Sequence, residues 1–494
     1  MGDDDLDDDL ARELVRLLRH VAERKQESGG ELVALLDEHL GRTAADCTIV
    51  TDRIQPWRLV DADVALGALD EEAGLVGVTV PRGYDGDLRG LLRGRGSGVG
   101  LGPVDYSSVP VGPGRERRVM SSGVRLMTYD RSPVVVLQRA ADPDWGRRTA
   151  TMEIIGADAA VVDAFRADVR RLMVERSVLR GQVISFSGGG FDEELGGIVF
   201  AERPAVHADE VILPDGVLAR LRRHVSGVAE HRERLLAAGQ HLKRGILLHG
   251  PPGTGKTHTV RHLVGRADGV TVLLLSGSSM RSVREASRLA RALEPSMIVL
   301  EDCDLIAEDR GMGGGGELLF ELLEALDGMD GDADVAFVLT TNRPDLLERA
   351  LTRRPGRIDL AIEVPLPDEA ARARLFGLYA AGLGLSDGVL AEAAARAEGV
   401  TASFAKELVR RAVLLAAVAG EDLADAHLTA ALDELLDDRE ALTRSLLGSG
   451  ARATVDQGPG AGSDGGWLAY ADDHADDLDD DEGESGSSWT MRWD

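Results

Sequence analysis

The sequence is poor in aromatic side chains, in cysteine and in long apolar runs. Eight Phe, five Tyr and five Trp are spread over 494 residues, so any core has to be built chiefly from Leu, Val and Ala. Two cysteines, Cys47 and Cys303, cannot make a disulfide framework, and their spacing suits no structural zinc site. No apolar run approaches the roughly 20 residues of a membrane-spanning helix. The acidic start Met1-Gly2-Asp3-Asp4-Asp5 lacks the basic opening of a secretory signal. Together these absences give the expectation of a cytoplasmic protein with no membrane partner. Basic excess is missing too: 56 Lys and Arg face 85 Asp and Glu, a net charge of −29. An acidic chain repels a phosphate backbone, which disfavours nucleic acid as a general partner.

What is present is 44% hydrophobic, enough to bury real cores. The length allows about two to four domains. Residues 1–10 hold six Asp and no base, and residues 451–494 hold twelve acids against Arg452 and Arg492. Leu6, Leu10, Leu14, Leu17, Leu18 and Val21 recur at helical spacing, as do Leu32, Leu35, Leu36 and Leu40, which predicts an amphipathic helix pair. Eight of the twenty residues from Gly83 to Gly102 are glycine, which marks a loop or an internal break within 83–115. Strand patterns follow at Val124–Tyr129, Val134–Gln138 and Thr149–Ile155, a helix at about Ala157–Arg176, and strands again at Gln182–Phe186 and Ile198–Phe200. These read as an N-terminal α+β domain over 11–205.

Beyond it, short apolar strands alternate with helices: Gly245–His249, Val270–Leu275, Met297–Leu300, Val335–Thr340 and Leu360–Val364. That alternation predicts an α/β core over 206–367 with a parallel sheet covered on both faces. Residues 368–447 carry helical periodicity alone. The Gly-, Ser- and Asp-rich stretch 448–494 cannot bury a core and is expected to be a disordered acidic tail.

The strongest signal in the chain is Gly250-Pro251-Pro252-Gly253-Thr254-Gly255-Lys256-Thr257, between a predicted strand and a predicted helix. It fits the phosphate-binding loop: glycines let main-chain N–H groups turn toward phosphates, Lys256 offers a cation and Thr257 a Mg²⁺ ligand. A nucleotide site also needs a carboxylate for the metal and a base for water. The apolar strand Met297–Leu300 ends in Glu301 and Asp302, which supply both. Several residues near these motifs invite lesser readings. His249 reads as a strand-end packing residue, Cys303 as a buried neutral thiol, and Gly311–Gly316 as a loop.

Through these motifs the chain resembles the AAA family of ATPases over about 210–447. Thr340-Thr341-Asn342-Arg343-Pro344 is similar to the family's first sensor, where a polar residue, here Asn342, helps position the attacking water. Arg353-Arg354-Pro355-Gly356-Arg357-Ile358-Asp359 resembles its second region of homology, which implies that Arg354 and Arg357 reach into a neighbouring subunit's nucleotide. Gly399-Val400-Thr401-Ala402-Ser403-Phe404 lies where the family has a second sensor in a helical lid, here 368–447. The resemblance implies ATP and Mg²⁺ as cofactors, a homo-hexameric ring, and a protein client selected by the N-terminal domain. It adds His258 to the nucleotide-binding residues Gly250–Thr257, assigns Thr257 and Glu301 to the metal, and makes Asp302 the water-activating acid. The order Glu301 then Asp302 reverses the family's common pair and looks like the mitochondrial Rieske-protein chaperone branch.

A rival reading is a nucleotide-gated assembly scaffold with negligible hydrolysis, and another is a DNA-associated motor. Members that thread polypeptide carry an aromatic loop after the second strand. Here Leu275-Ser276-Gly277-Ser278-Ser279-Met280 has no aromatic, and Met280 reads as a core contact, so remodelling without threading is expected.

Overall fold

The computed structural model describes residues 30–79, 87–90, 92, 99–186, 198–304, 315–328, 331–345 and 357–437. The first predicted leucine helix and both acidic tails lie outside these residues. Two seven-stranded sheets organise what is described.

The first sheet is antiparallel, with strands β1 (Thr48–Ile54), β2 (Gly74–Thr79), β3 (Gly100–Gly102), β4 (Asp105–Gly112), β5 (Arg115–Tyr129), β6 (Ser132–Arg139) and β7 (Ala150–Gly156). Its order is β1-β7-β6-β5-β2-β3, with β4 also paired to β5. Strand alternation decides which side each residue covers. Val134 and Val136 of β6 pack with helices Leu59–Leu69 and Ala159–Glu175, whereas Val135 and Leu137 pack with Leu32, Leu36 and Leu40 of a helix over 30–40. The second half of the predicted leucine pair is thus present, with Leu32, Leu36 and Leu40 buried and Leu35 only partly so.

The second sheet contains β8 (Val183–Phe186), β9 (Ile198–Ala201), β10 (Arg244–His249), β11 (Thr271–Leu275), β12 (Ser296–Leu300), β13 (Val335–Thr341) and β14 (Leu360–Glu363). Its order is β14-β10-β13-β12-β11-β8-β9, and every pairing is parallel except β8 with β9. Strands buried on both faces read as continuous apolar runs, as these do. Leu247, Leu273, Ile298, Phe337 and Leu339 pack on one side with helices Val283–Ala292 and Gly315–Asp327. Ile246, Leu248, Val272, Val299 and Val338 pack on the other with helices Val217–Glu230 and Lys256–Gly265.

One assignment moves. The strands predicted at 182–186 and 198–200 were expected with the N-terminal domain, but β8 runs parallel to β11 and carries β9 on its outer side. The reason is that Ile184, Phe186 and Ile198 complete the apolar cluster built by β11 and β12, with Trp57 from the N-terminal region packed against it. Val109 and Pro110 of β4 meet Leu179, Ile198 and Phe200 at the same place, so the antiparallel sheet leans on this added edge.

Four helices close the described chain: Glu369–Tyr379, Asp387–Arg396, Ala402–Ala419 and Asp425–Leu436. Three start on side-chain caps, with Asp368 accepting from Ala371 N–H, Ser386 from Val389 N–H and Thr401 from Phe404 N–H. Their shared core centres on Phe376, Phe404, Leu408 and Leu432. Among the described residues no helix is long and apolar enough to cross a membrane.

Candidate active site

Strand β10 ends at His249 and the helix Lys256–Gly265 begins six residues after Gly250, so the loop between them caps the carboxyl end of the sheet. Crevices at such ends are where open α/β sheets bind ligands. Two glycines are required by geometry. Gly250 has φ 149°, and a Cβ there would stand 2.2 Å from the Val364 carbonyl oxygen. Gly255 has φ 100° and forms the N-cap of the helix, whose first N–H groups face the loop.

Lys256 is buried, and its Nζ donates to the carbonyls of Gly250 at 2.9 Å and Pro251 at 2.8 Å. Burial draws its pKa down to about 8, opposed by the charges of Asp302 and Asp304. The ammonium is therefore held inside the loop's own curve, against the place where the helix N–H groups converge.

The Thr257 hydroxyl lies near enough to the Glu301 carboxylate to favour its charged form. This contact joins the phosphate loop to the end of β12, although β13 runs between β10 and β12. Burial raises the Glu301 pKa, as does the neighbouring Asp302 charge, while Thr257 and Arg261 pull it down. The next residue, Asp302, is exposed and left-handed at φ 53°, a conformation that costs a non-glycine residue roughly 1–3 kcal/mol and gathers at functional sites. Its N–H donates to Thr340 Oγ1 at 3.0 Å, and the Cys303 N–H donates to the Thr340 carbonyl at 2.9 Å. The β13 strand end thus fixes the turn that presents Asp302.

Asp304 was not picked out from the sequence and is part of this arrangement. It is buried; its Oδ1 accepts from Thr341 Oγ1 and the Asn342 N–H, both at 3.1 Å, and its Oδ2 accepts from Asn342 Nδ2 at 3.4 Å. The acid holds the predicted sensor side chain by both its main chain and its amide. Only the neighbouring positions of β12 and β13 turn a third acid after a strand into this contact.

The lid reaches the loop as well. The Ser403 N–H, at the start of helix Ala402–Ala419, donates to the Gly253 carbonyl at 3.1 Å. His258 lies near Glu210, and burial holds its pKa below the usual value against the nearby Glu210 charge and main chain. His262 Nδ1 lies 2.8 Å from the Val206 carbonyl oxygen, so the segment around 206–210 lies along the helix that follows the loop.

The two arginines fare differently from the loop residues. Arg354 lies outside the described residues. Arg357 was expected to extend toward a neighbour, but it is 6% exposed, with Nε on Asp327 Oδ1 at 2.7 Å and a second nitrogen on Asp327 Oδ2. The bidentate pair holds its guanidinium within its own chain. Cys303 is fully buried and burial pushes its thiol pKa up, consistent with a neutral thiol. Met280 is 1% exposed and belongs to the core beneath β11, as expected.

A glycine loop over a helix N-terminus, a buried lysine within it, and a threonine hydroxyl beside a strand-end acid define a P-loop nucleotide-binding protein. Residues 246–366 match the ATPase family associated with various cellular activities (AAA), and over that stretch the chain is an AAA ATPase domain. It is 33% identical over 307 residues to the ATP-dependent zinc metalloprotease FtsH 4 of Sphaerobacter thermophilus, covering 59% of this chain and 44% of that protein. It is 35% identical over 217 residues to the ATPase family gene 2 protein homolog A of Homo sapiens, covering 41% and 24%. To Protein SAV of Sulfolobus acidocaldarius it is 29% identical over 305 residues, covering 57% and 39%. The chain spans less than half the length of each of these relatives.

Proposed function

We propose that the chain binds Mg·ATP in the Gly250–Thr257 loop and hydrolyses it, using the cycle to remodel or switch a protein partner. The observation that carries this reading is the convergence of Lys256, the Thr257–Glu301 contact, Asp302 and the Asp304-held Asn342 at one end of one sheet. The residues fit ATP and its metal: the loop's N–H groups and Lys256 suit the phosphates, and Thr257 with Glu301 suits a divalent cation, which on binding supplies charge neutralisation at the phosphate oxygens. Asp302 then accepts the proton of the attacking water, and Asn342 orients that water. A homo-hexameric ring follows if Arg354 acts on a neighbouring subunit, and Arg357 can do so only by leaving Asp327. A cytoplasmic setting goes with the need for ATP.

The client is assigned to the N-terminal sheet, which leans on the ATPase sheet through β9, Trp57 and β4. Burial of Met280 supports remodelling without threading, since that side chain is committed to the core. The 494 residues contain no His-Glu dipeptide, so zinc proteolysis, in the name of one relative, is not carried over to this chain.

A second reading, nucleotide-gated assembly without turnover, is favoured by Asp302, an acid one methylene shorter than Glu and strained in its turn. Steady-state phosphate release decides between them. Wild type should turn over, Lys256→Ala should lose nucleotide binding, and Asp302→Asn should bind without turnover. Binding without phosphate release in the wild type selects the scaffold. Micromolar ATP affinity in Lys256→Ala removes the site assignment altogether.

A further inference from the structure

At the other end of the second sheet, where the parallel strands begin, lies a cleft of about 900 Å³. Its floor is made by the first residues of β10, β12 and β14 (Arg244, Ser296 and Leu360) together with Met297 and Ala336. Strand β10 spans six residues, so this cleft and the phosphate loop stand about 17 Å apart on opposite ends of the sheet. The two places share no lining residue.

The walls of the cleft carry an unusual charge for this chain. Arg220, Arg222 and Arg223 come from helix Val217–Glu230, and Arg266 follows the helix Lys256–Gly265. None of the four makes an ion pair or side-chain hydrogen bond with any described residue. Elsewhere several arginines are paired, among them Arg125 with Asp63, Arg139 with Glu153, Arg166 with Asp52, Arg396 with Asp433 and Arg410 with Glu407, and what sets the cleft apart is that four unpaired ones line a single concavity. In a chain with a net charge of −29, carboxylates are abundant, yet none of these four guanidinium groups is paired with a described one. Two acids do line it. Asp268 is within the field of Arg203, which leaves Glu230 as the one lining acid without a described cation beside it.

The floor is built to stay put. Arg244 is buried and donates to Asp334 at 2.7 Å, to the Leu242 carbonyl at 2.9 Å, and twice to the Val225 carbonyl at 3.1 and 2.8 Å. It ties the arginine-bearing helix to the strand ends, so the cationic wall is fixed to the sheet. His224 lines the same wall; burial lowers its pKa, and its Nε2 is buried with no partner.

We propose that this cleft binds a phosphorylated anion of about mononucleotide size, at a site independent of the phosphate loop. The volume lies within the usual range of small-molecule pockets, and Met297, Ala336 and Leu360 offer an apolar floor for a non-phosphate moiety. Planar guanidinium forks match phosphate oxygens bidentately, and the four arginines give a polyphosphate more partners than a single carboxylate could use. The overall negative charge of the chain repels extended polyanions, which favours a compact ligand that enters the cleft over a strand that must lie along the surface.

The test uses the full chain carrying Lys256→Ala, in which the phosphate loop is disabled. Inorganic tripolyphosphate and ATP are titrated separately by calorimetry at low salt and at 0.3 M salt. Saturable binding of tripolyphosphate is expected, weakened by salt and at least about tenfold weaker in Arg220→Ala/Arg223→Ala on the same background. Tighter binding of ATP than of tripolyphosphate identifies a nucleotide, and equal binding identifies the phosphate chain alone as the ligand; both support the site. No saturable binding of either, or binding unchanged by the arginine substitutions in a chain of unchanged circular dichroism, overturns it. Binding of an Asp-rich peptide in place of both phosphates overturns it too. The outcome does not depend on whether the phosphate loop hydrolyses ATP.

Discussion

Lys256 gives the sharpest quantitative handle on the site. In the free chain burial holds its pKa at about 8, against 10.5 for an exposed lysine. The ammonium that phosphate oxygens need is therefore dominant at pH 7, half present near pH 8 and scarce at pH 9. Once a diphosphate lies against it, the opposite charge restores the ammonium, so binding above pH 8 must draw a proton from the buffer. Taking the bound lysine back to its ordinary range, ADP affinity should fall about tenfold between pH 7 and pH 9. Calorimetric titration of ADP in two buffers of different ionisation enthalpy reads both the affinity and the proton uptake. In Lys256→Arg the guanidinium does not titrate, so whatever affinity remains should be flat over this range. The same depression bears on folding with the opposite sign. The folded chain disfavours the charged amine, so that cost is fully present below pH 8 and fades as pH rises toward 10.5. Equal ADP affinity at pH 7 and pH 9, with no proton taken up, would show that the lysine is not held as described.

Three other outcomes follow from named contacts. Asp304→Ala removes the acceptor of Thr341, the Asn342 N–H and the Asn342 amide, and should lower kcat by about 10²-fold while nucleotide affinity stays within a few-fold; Asp304→Asn should recover part of that rate, and parallel loss of affinity and rate would point to collapse of the site. Arg357→Ala removes the bidentate pair with the partly exposed Asp327 and should cost about 1–3 kcal/mol in urea denaturation; an unchanged midpoint would free Arg357 from the anchoring role. Met280→Ala should destabilise by about 2–4 kcal/mol, as a buried side chain does, and a stability equal to wild type would place Met280 outside the core.

The ATPase half of the chain was the more legible. Its strands are short, apolar on both faces and punctuated by glycine and acids, so β10 to β14 stand within a residue or two of where the pattern puts them. The phosphate loop is contiguous, and its chemistry can be read without a fold. Asp304 could not be read that way, because its contact depends on β12 lying beside β13, a non-local fact. Strands β1 to β4 were missed for a different reason. Thr48–Ile54 carries Asp52 and Arg53, and β4 carries Ser107, Ser108 and Pro110, so neither shows an apolar run or clean alternation. Asp52 becomes buried only because Arg166 and Arg170, over a hundred residues on, bond to it. The hairpin β8–β9 was seen as strands but given to the wrong sheet, since nothing local in Val183–Phe186 names its partner.

The place of β8 and β9 has a practical consequence for anyone cutting the chain. A fragment begun at about residue 206, where the sequence pattern changes, would strip two strands from the ATPase sheet and bare the apolar edge of β11. Unpaired edges of that kind recruit other chains, and such a fragment should aggregate even with its phosphate loop intact. Starting near residue 177 keeps β8 on β11 but still uncovers the surface that Trp57 and β4 protect. A stable excised piece therefore has to keep the Trp57 and β4 cover over Leu179, Ile198 and Phe200, positions that on the sequence alone belong to no catalytic motif.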